Sequence, residues 1–268
     1  MKIAISGKGG VGKTTLSSVY AIKLAEMGHR VALVDLSLFG NIDMLFRVSS
    51  IDRGLNRISV VFEENKGGKN EELHSVIAEK GVIKLEKYSN LDIIPAATAI
   101  KMDRMTTGCV KALIEGLQGL NYEYIVFDTT SDLSERTVGA LENADKIYLV
   151  ANQDISTLWR TSGLKDIFNS LYIEESTLGV VLNRFRKDVR YNPHEIKEVL
   201  GTELLCTVPD YKGNIVDAFN AESIEGLNKG KLVFRKFHKA LENIIEGDGS
   251  EDRRDNKEQK AGKKFRLK

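Results

Sequence analysis

A run of nine residues near the start of the chain has the composition and spacing of a phosphate-binding loop: Gly7-Lys8-Gly9-Gly10-Val11-Gly12-Lys13-Thr14-Thr15. The glycines permit left-handed turns that bring backbone N–H groups close to a polyphosphate. Lys13 is expected to reach the β- and γ-phosphates, and the Thr14 hydroxyl to ligate Mg²⁺. The alternative, a glycine-rich turn without a ligand, is less favoured because an apolar run precedes the loop and a helical pattern follows it, as nucleotide binding requires.

Two further acidic residues each end an apolar strand pattern. Tyr124-Ile125-Val126-Phe127-Asp128 lies downstream of the loop and resembles a Walker B element, whose carboxylate holds Mg²⁺ through water. Residues 30–35 form a similar run that ends in Asp35 and is followed by a loop over 36–43. Open α/β sheets place their ligand sites at the carboxyl ends of strands. These carboxylates are therefore predicted to lie near the phosphates.

The elements that must position these residues alternate along the chain. Near-continuous apolar strands separated by helical patterns predict a mostly parallel, doubly wound β-sheet covered by helices on both faces, in a single α/β domain. Residues 44–90 are less regular, and an exposed polar loop is expected over 63–72. Strands are predicted at 3–5, 30–35, 91–95, 124–128, 146–150, 178–184 and 204–210, and helices at 16–25, 102–117, 134–144, 156–171, 195–200 and 231–246.

Composition places the chain among ordinary globular proteins. Of its 268 residues 42% are hydrophobic and 29% charged, and the net charge is +1, which gives no overall attraction to nucleic acid or anionic lipid. The two cysteines, Cys109 and Cys206, are far apart and predict neither a disulfide nor a metal site. The first apolar run has three residues, too short for a signal peptide, and no segment has 18 continuous apolar residues. We expect a cytoplasmic protein.

Lys8, a second lysine inside the loop, indicates which group of nucleotide-binding proteins this sequence resembles. The stretch Lys8–Thr15 resembles the deviant Walker A loop of the MinD/ParA superfamily of P-loop NTPases, in which the early lysine reaches the partner's phosphates in a nucleotide-sandwich dimer. The resemblance covers residues 1–246 and implies an ATP-dependent homodimer with Thr14, Asp35 and Asp128 around Mg²⁺. A solvated lysine is the alternative for Lys8.

The same resemblance supplies a site for the base. In relatives the asparagine of a strand-ending Leu-Asn-Arg contacts adenine; here that asparagine is Asn183, followed by Arg184. An amide side chain offers both a donor and an acceptor to the adenine edge. The loop Val208-Pro209-Asp210 corresponds to the segment that closes over the base. The alternative for Asn183 is a turn residue at the end of a strand.

One departure from the superfamily concerns hydrolysis. Relatives carry Asp-x-Asp where this chain has Asp35 and Ser37, and the second aspartate helps to position or activate the attacking water. A hydroxyl is a poorer proton acceptor than a carboxylate at pH 7, so we expect weak ATPase activity. Asp43 could substitute only if its loop folds back. The stretch 128–131 also lacks the Pro-x-Gly that often follows the Walker B aspartate.

Within the superfamily, residues 35–41, 134–141 and the Asn183 strand look most like the CpaE/TadZ pilus-assembly localisers. This implies an ATP-binding switch that positions a pilus or secretion assembly, with its protein components as partners. The first alternative is an actively hydrolysing partition or division-site ATPase that uses DNA or membrane as a surface. The second is a metabolic enzyme, such as a relative of the nitrogenase iron protein, although Cys206 is badly placed for a cluster.

Two charged segments could serve the first alternative. The basic run 184–190 could contact phosphates, but a solvated loop is favoured. The tail 247–268 is polar, basic and predicted to be disordered. Electrostatic recruitment of this tail to a membrane or cell pole is the less favoured reading.

Overall fold

The computed structural model describes residues 1–64, 70–211, 213–227 and 235–247. Within them a single sheet of eight strands has the order β3-β4-β2-β5-β1-β6-β7-β8, and all neighbours are parallel except β3 and β4. The strands are β1 Lys2–Gly7, β2 Val31–Asp35, β3 Ile83–Lys84, β4 Leu91–Ile94, β5 Tyr124–Asp128, β6 Lys146–Asn152, β7 Leu178–Phe185 and β8 Leu204–Pro209.

Helices cover both faces of this sheet, which explains why its central strands read as continuous apolar runs. One apolar cluster lies on each face; α1 packs on one side with Phe237 and Leu241, and α6 packs on the other. The helices are α1 Lys13–Glu26, α2 Ile42–Phe46, α3 Leu55–Glu64, α4 Asn70–Val76, α5 Ala99–Asp103, α6 Thr107–Gly119, α7 Glu135–Glu142, α8 Ile155–Ser170, α9 Pro193–Leu200, α10 Asn214–Glu222 and α11 at 235–247. The predicted doubly wound α/β fold is confirmed.

Three local predictions need correction. Residues 44–90 contain α3, α4 and a π-helical turn at Ile77–Gly81, and the ends of the expected 63–72 loop are helical while 65–69 lie outside the described residues. The buried apolar residues of α3, including Leu55 and Ile58, recur at helical spacing and pack on the sheet. Their amphipathic pattern is the signal that the sequence reading missed.

The single helix expected over 102–117 is instead two helices, α5 and α6. Thr106 adopts an extended backbone and its side chain accepts a hydrogen bond from the Cys109 N–H, which caps the start of α6. The predicted last helix is observed over 235–247, with Phe237, Leu241 and Ile244 buried; its first residues, 231–234, lie outside the described part. The tail prediction lies outside the described residues from 248 onward.

The strand order also fixes where a ligand site can form. The chain leaves β1 toward β2 on one side of the sheet and later returns to place β6 on the other, so the order reverses at β1. A crevice opens at the carboxyl ends of strands where the order reverses. The loop after β1 and the ends of β2 and β5 meet at this point.

Candidate nucleotide site

The loop between β1 and α1 has the backbone that its glycines predict. Gly10 and Gly12 have φ values of +77° and +100°, in the left-handed region that favours glycine. A Cβ atom on Gly12 would lie 2.5 Å from the Nδ2 atom of Asn183, so only glycine fits between the loop and β7. Helix α1 begins at Lys13, and its first N–H groups and positive dipole end face the loop. This arrangement is suited to binding an anion.

The Lys13 side chain lies across the phosphate-binding loop. Its Nζ atom donates hydrogen bonds to the carbonyl oxygens of Gly7 and Lys8, each at 3.1 Å. Burial lowers the pKa of the Lys13 ammonium, and the negative charges of Asp128 and Asp132 oppose that shift. A partly desolvated cation therefore lies between the phosphate loop and the acidic residues.

Asp35 and Asp128 end adjacent parallel strands in direct register, so their carboxylates lie side by side. Burial, followed by the charge of Asp35, raises the pKa of Asp128 to about 7. Both Asp128 oxygens are buried, and no donor among the described residues makes a hydrogen bond to either of them. The nearby hydroxyls of Thr14 and Ser17 oppose the rise in the pKa of Asp128. A buried anionic group without a partner is costly, and this one is placed where a cation would satisfy it.

The Asp35 carboxylate, in contrast to that of Asp128, accepts hydrogen bonds from the backbone of the loop that follows it. Its Oδ1 atom accepts the Ser37 N–H at 2.9 Å, and its Oδ2 atom accepts the N–H groups of Asn41 and Ile42 at 3.1 and 3.3 Å. Burial raises the pKa of Asp35 although these hydrogen bonds oppose the rise. Gly40 lies against this carboxylate, where a Cβ atom would collide with it. Asp35 therefore organises the loop after β2, next to Asp128 on the neighbouring strand.

These residues fit the chemistry of Mg²⁺. The ion prefers oxygen ligands and keeps several waters, and the Thr14 hydroxyl and the Asp128 carboxylate lie on one side of the loop. Bound Mg²⁺ would supply the positive charge that the carboxylate pair lacks. The described residues contain no group of three or more His, Cys, Asp or Glu side chains suited to a protein-only metal site. Cys109 and Cys206 are free thiols in α6 and β8.

The residues predicted to hold adenine gather around a small cavity of about 110 Å³ beside the loop. Asn183 is buried, and its Nδ2 atom donates a 2.6 Å hydrogen bond to the Val11 carbonyl oxygen. Val208 points into the core rather than into the cavity. The predicted residues that line the cavity are Gly12, Thr15, Asn183, Arg184, Pro209 and Asp210, and sequence reasoning missed Leu16, Tyr211, Ile215, Val216 and Phe237.

The other predicted residues lie at the edge of the site. Lys8 is half-buried and its Nζ atom donates to the Ser156 hydroxyl at 2.9 Å, in the first turn of α8. Ser37 is half-buried beside Asp35. Asp43 lies in α2 and accepts hydrogen bonds from the Met44 N–H and from the hydroxyl of Ser50, which follows that helix. Its carboxylate is therefore held by residues that follow it in the chain.

The basic run 184–190 begins in the last two residues of β7 and continues as an exposed loop from residue 186. Arg186 forms an ion pair with Asp188 at 2.6 Å, and the backbone N–H of Arg186 donates to the Gln153 side chain. Gln153 in turn donates to the Tyr191 carbonyl oxygen at 2.7 Å. The loop is thus ordered by neighbouring side chains, as expected of a solvated surface loop. No helix in the described ranges is long and apolar enough to cross a membrane.

A doubly wound parallel sheet with a glycine–lysine loop between β1 and α1 is the fold of P-loop NTPases. The family described as AAA domain matches residues 1–178, well over half of the chain, and the chain belongs to that family. The septum site-determining protein MinD of Thermotoga maritima is 23% identical over 253 residues, which are 92% of this chain and 88% of that protein.

Solved structures agree on the fold. A ParA family ATPase from Chlorobium tepidum superposes with a TM-score of 0.74 at 22% identity, over 90% of this chain and 98% of that one. The septum site-determining protein MinD of Pyrococcus horikoshii, complexed with Mg-ADP, gives a TM-score of 0.69 at 23% identity, over 91% and 95%. The predicted likeness to the MinD/ParA superfamily is confirmed, whereas the CpaE/TadZ branch stays a prediction.

Proposed function

We propose that this protein is a switch operated by ATP and Mg²⁺. The observation that carries the proposal is Asp128, whose buried carboxylate accepts no hydrogen bond from the described part of the chain and lies beside Lys13 and Thr14. Mg²⁺ bound to a triphosphate on the loop would satisfy this carboxylate. The similar MinD of Pyrococcus horikoshii was solved with Mg-ADP, which supports the same ligand class here.

The switch acts through an ATP-dependent homodimer. Lys8 lies at the rim of the site, and the exposed Ser156 contact that holds it is weak enough to exchange for a phosphate. A charge-assisted contact from Lys8 to the partner's nucleotide would make the dimer more stable with ATP than without it. The adenine cavity beside Asn183 completes the nucleotide site within each protomer.

Hydrolysis is slow in this proposal. Two residues beyond Asp35 the chain carries the hydroxyl of Ser37 instead of a carboxylate, and the Asp43 carboxylate is hydrogen-bonded to Met44 and Ser50. General-base assistance contributes about 10²–10⁴-fold to rate. A long-lived ATP dimer suits a protein that marks a position rather than one that cycles rapidly.

The assembly that the dimer positions is proposed to be of the pilus or secretion type, on a cytoplasmic protein recruited peripherally to an envelope or polar site. The names of the relatives favour one alternative, septum-site or partition function, in which DNA or membrane stimulates turnover. The two differ in hydrolysis rate and in the response to a surface.

Sedimentation with no nucleotide, with ADP and with ATP–Mg²⁺, combined with phosphate release in the same samples, tests the proposal. We expect an ATP-specific dimer with little release. Brisk release that rises with DNA or anionic vesicles would instead favour the partition or division function. A monomer under all three conditions would refute the switch, and Lys8→Ala is the matched variant expected to bind ATP while staying monomeric.

A further inference from the structure

Arg136, in α7, is a charged residue that the site described above does not use. Its side chain is 1% exposed and is among the largest fully buried side chains of the described residues. Nε donates to the Leu36 carbonyl oxygen at 3.0 Å, and a second guanidinium nitrogen donates to the Met102 carbonyl oxygen at 3.1 Å. A third nitrogen lies 3.5 Å from the Asp132 carboxylate. One buried cation thus joins three separate segments.

Two of these segments flank the place of the terminal phosphate. Leu36 lies between Asp35 and Ser37, and its own N–H donates to the Asp128 carbonyl oxygen at 2.9 Å. Any movement of the Leu36 carbonyl therefore moves the strand end that carries Asp35. Arg136 holds this strand end from α7, which packs with α6 on the face of the sheet opposite α1.

The second segment, residues 129–134, lies against the phosphate loop itself. The Ser131 hydroxyl lies 3.6 Å from the position that a Cβ atom on Gly9 would occupy. The Asp132 carboxylate is oriented by its own loop. It accepts hydrogen bonds from the hydroxyl and N–H of Ser134, at 2.7 and 3.2 Å, and from the hydroxyl of Thr130. The charge of Asp132 also reaches Lys13, whose pKa it helps to raise against the effect of burial.

The third segment ends α5, whose Met102 side chain is buried in the core on the α6 face of the sheet. Exposed Ile100 lies in the same short helix. Through Arg136, the two loops beside the phosphate are thus connected to a surface helix on one face of the protein.

We propose that Arg136 is a positioning residue that couples residues 129–134 to the Asp35 strand end and to α5. A planar guanidinium holds three acceptors in fixed directions, which an ammonium cannot do. Contact of the γ-phosphate with the 129–134 loop would therefore be passed through Asp132 and Arg136 to Leu36. This proposal rests on the proposed ATP switch, because it explains how such a site would distinguish ATP from ADP.

If Arg136 had only a structural role, it would donate hydrogen bonds to two buried carbonyl groups and have no effect on nucleotide preference. Asp132→Asn separates the two interpretations because Asp132 is half-exposed and its replacement leaves both carbonyl contacts of Arg136 intact. Arg136→Lys is the second variant, since it keeps the positive charge and loses the planar arrangement of guanidinium N–H donors. Glu225→Gln, which breaks an exposed ion pair with Lys87 that does not line the nucleotide site, is the control.

The first measurement is the ratio of the ADP and ATP dissociation constants with Mg²⁺, by calorimetry. Asp132→Asn and Arg136→Lys should each reduce the preference for ATP by about tenfold with ADP affinity within about twofold, and the double variant should lose no more than either alone. Glu225→Gln should match the wild type. Equal loss of ATP and ADP affinity, or an unchanged ratio, would overturn the coupling.

The second measurement needs no nucleotide. Backbone amide exchange at Ser37, Asn41 and Ile42 should become faster in Asp132→Asn, although residue 132 touches none of them. Unchanged exchange at these amides would refute the coupling whatever the ligand of the wild type. If wild-type protein bound neither nucleotide while this exchange still increased, the proposed function would fail and the coupling would stand.

Discussion

Neutralising Asp128 should stabilise the nucleotide-free protein and abolish its stabilisation by Mg²⁺–ATP. The Asp128 carboxylate is fully buried beside Asp35, and within the described ranges neither of its oxygens accepts a hydrogen bond. In Asp128→Asn the charge disappears while the shape of the side chain is kept. A site built for a cation carries such a cost in its empty state.

The size of the effect follows from the proton affinity. Burial, together with the charge of Asp35, raises the pKa of Asp128 from 3.8 to about 7. Each pKa unit corresponds to about 1.4 kcal/mol, so the ionised form is disfavoured in the folded protein by up to about 4 kcal/mol. The pKa of Asp128 is higher in the folded than in the unfolded protein. The stability that its protonated form contributes is therefore complete below pH 4 and is lost as pH rises through 7.

Asp35→Asn provides the matched contrast. Asp35 is also buried with a raised pKa, but its carboxylate accepts three backbone N–H groups, from Ser37, Asn41 and Ile42. An amide replaces one accepting oxygen by a donor, so at least one buried N–H loses its partner at a cost of about 1–3 kcal/mol. Asp35→Asn should therefore be less stable than Asp128→Asn at pH 8, because the lost hydrogen bond offsets the relief of burying a charge.

Urea unfolding at pH 5.5 and pH 8, without nucleotide, measures both effects. Asp128→Asn should gain up to about 4 kcal/mol at pH 8 and about half of that at pH 5.5, relative to wild type. In the same variant Mg²⁺–ATP should no longer raise the unfolding midpoint. A destabilised Asp128→Asn at pH 8, or a gain that does not depend on pH, would show that this carboxylate is satisfied in the folded protein and would remove the basis for the cation site.

Three further predictions concern the phosphate loop and its surroundings. Ser37→Asp should raise phosphate release by about 10²–10⁴-fold while Ser37→Ala leaves it unchanged; equal rates in all three proteins would assign slow hydrolysis to another cause. Lys8→Ala should keep ATP affinity within about threefold and lose the ATP dimer, with a change in unfolding free energy of less than about 0.5 kcal/mol, because its bond to Ser156 is exposed; sedimentation and calorimetry read the two separately. Gly12→Ala should lower the unfolding free energy by about 1–3 kcal/mol and weaken nucleotide binding, since it combines a φ of +100° with a clash at Asn183; thermal shifts with and without ATP would contradict this if both matched wild type.

The phosphate loop and the strand–helix alternation could be read from the sequence because both depend on residues close together in the chain. Glycine spacing sets the loop backbone, and apolar runs that end in Asp35 and Asp128 mark buried parallel strands. The break between α5 and α6 was missed, since a capping threonine at position 106 interrupts an apolar spacing that otherwise continues. The helices within 44–90 were missed because polar residues hide their short amphipathic faces.

Residue types and local spacing are enough to predict the class of fold, the loop and the chemical groups of the site. They do not predict which groups meet: Asp35 lies beside Asp128 on the neighbouring strand, Asn183 contacts the Val11 carbonyl 172 residues away, and Arg136 contacts Leu36. These contacts depend on strand order and register, which packing across the whole sheet sets. Local spacing fixes what a residue can do, and the sheet fixes which partner it has.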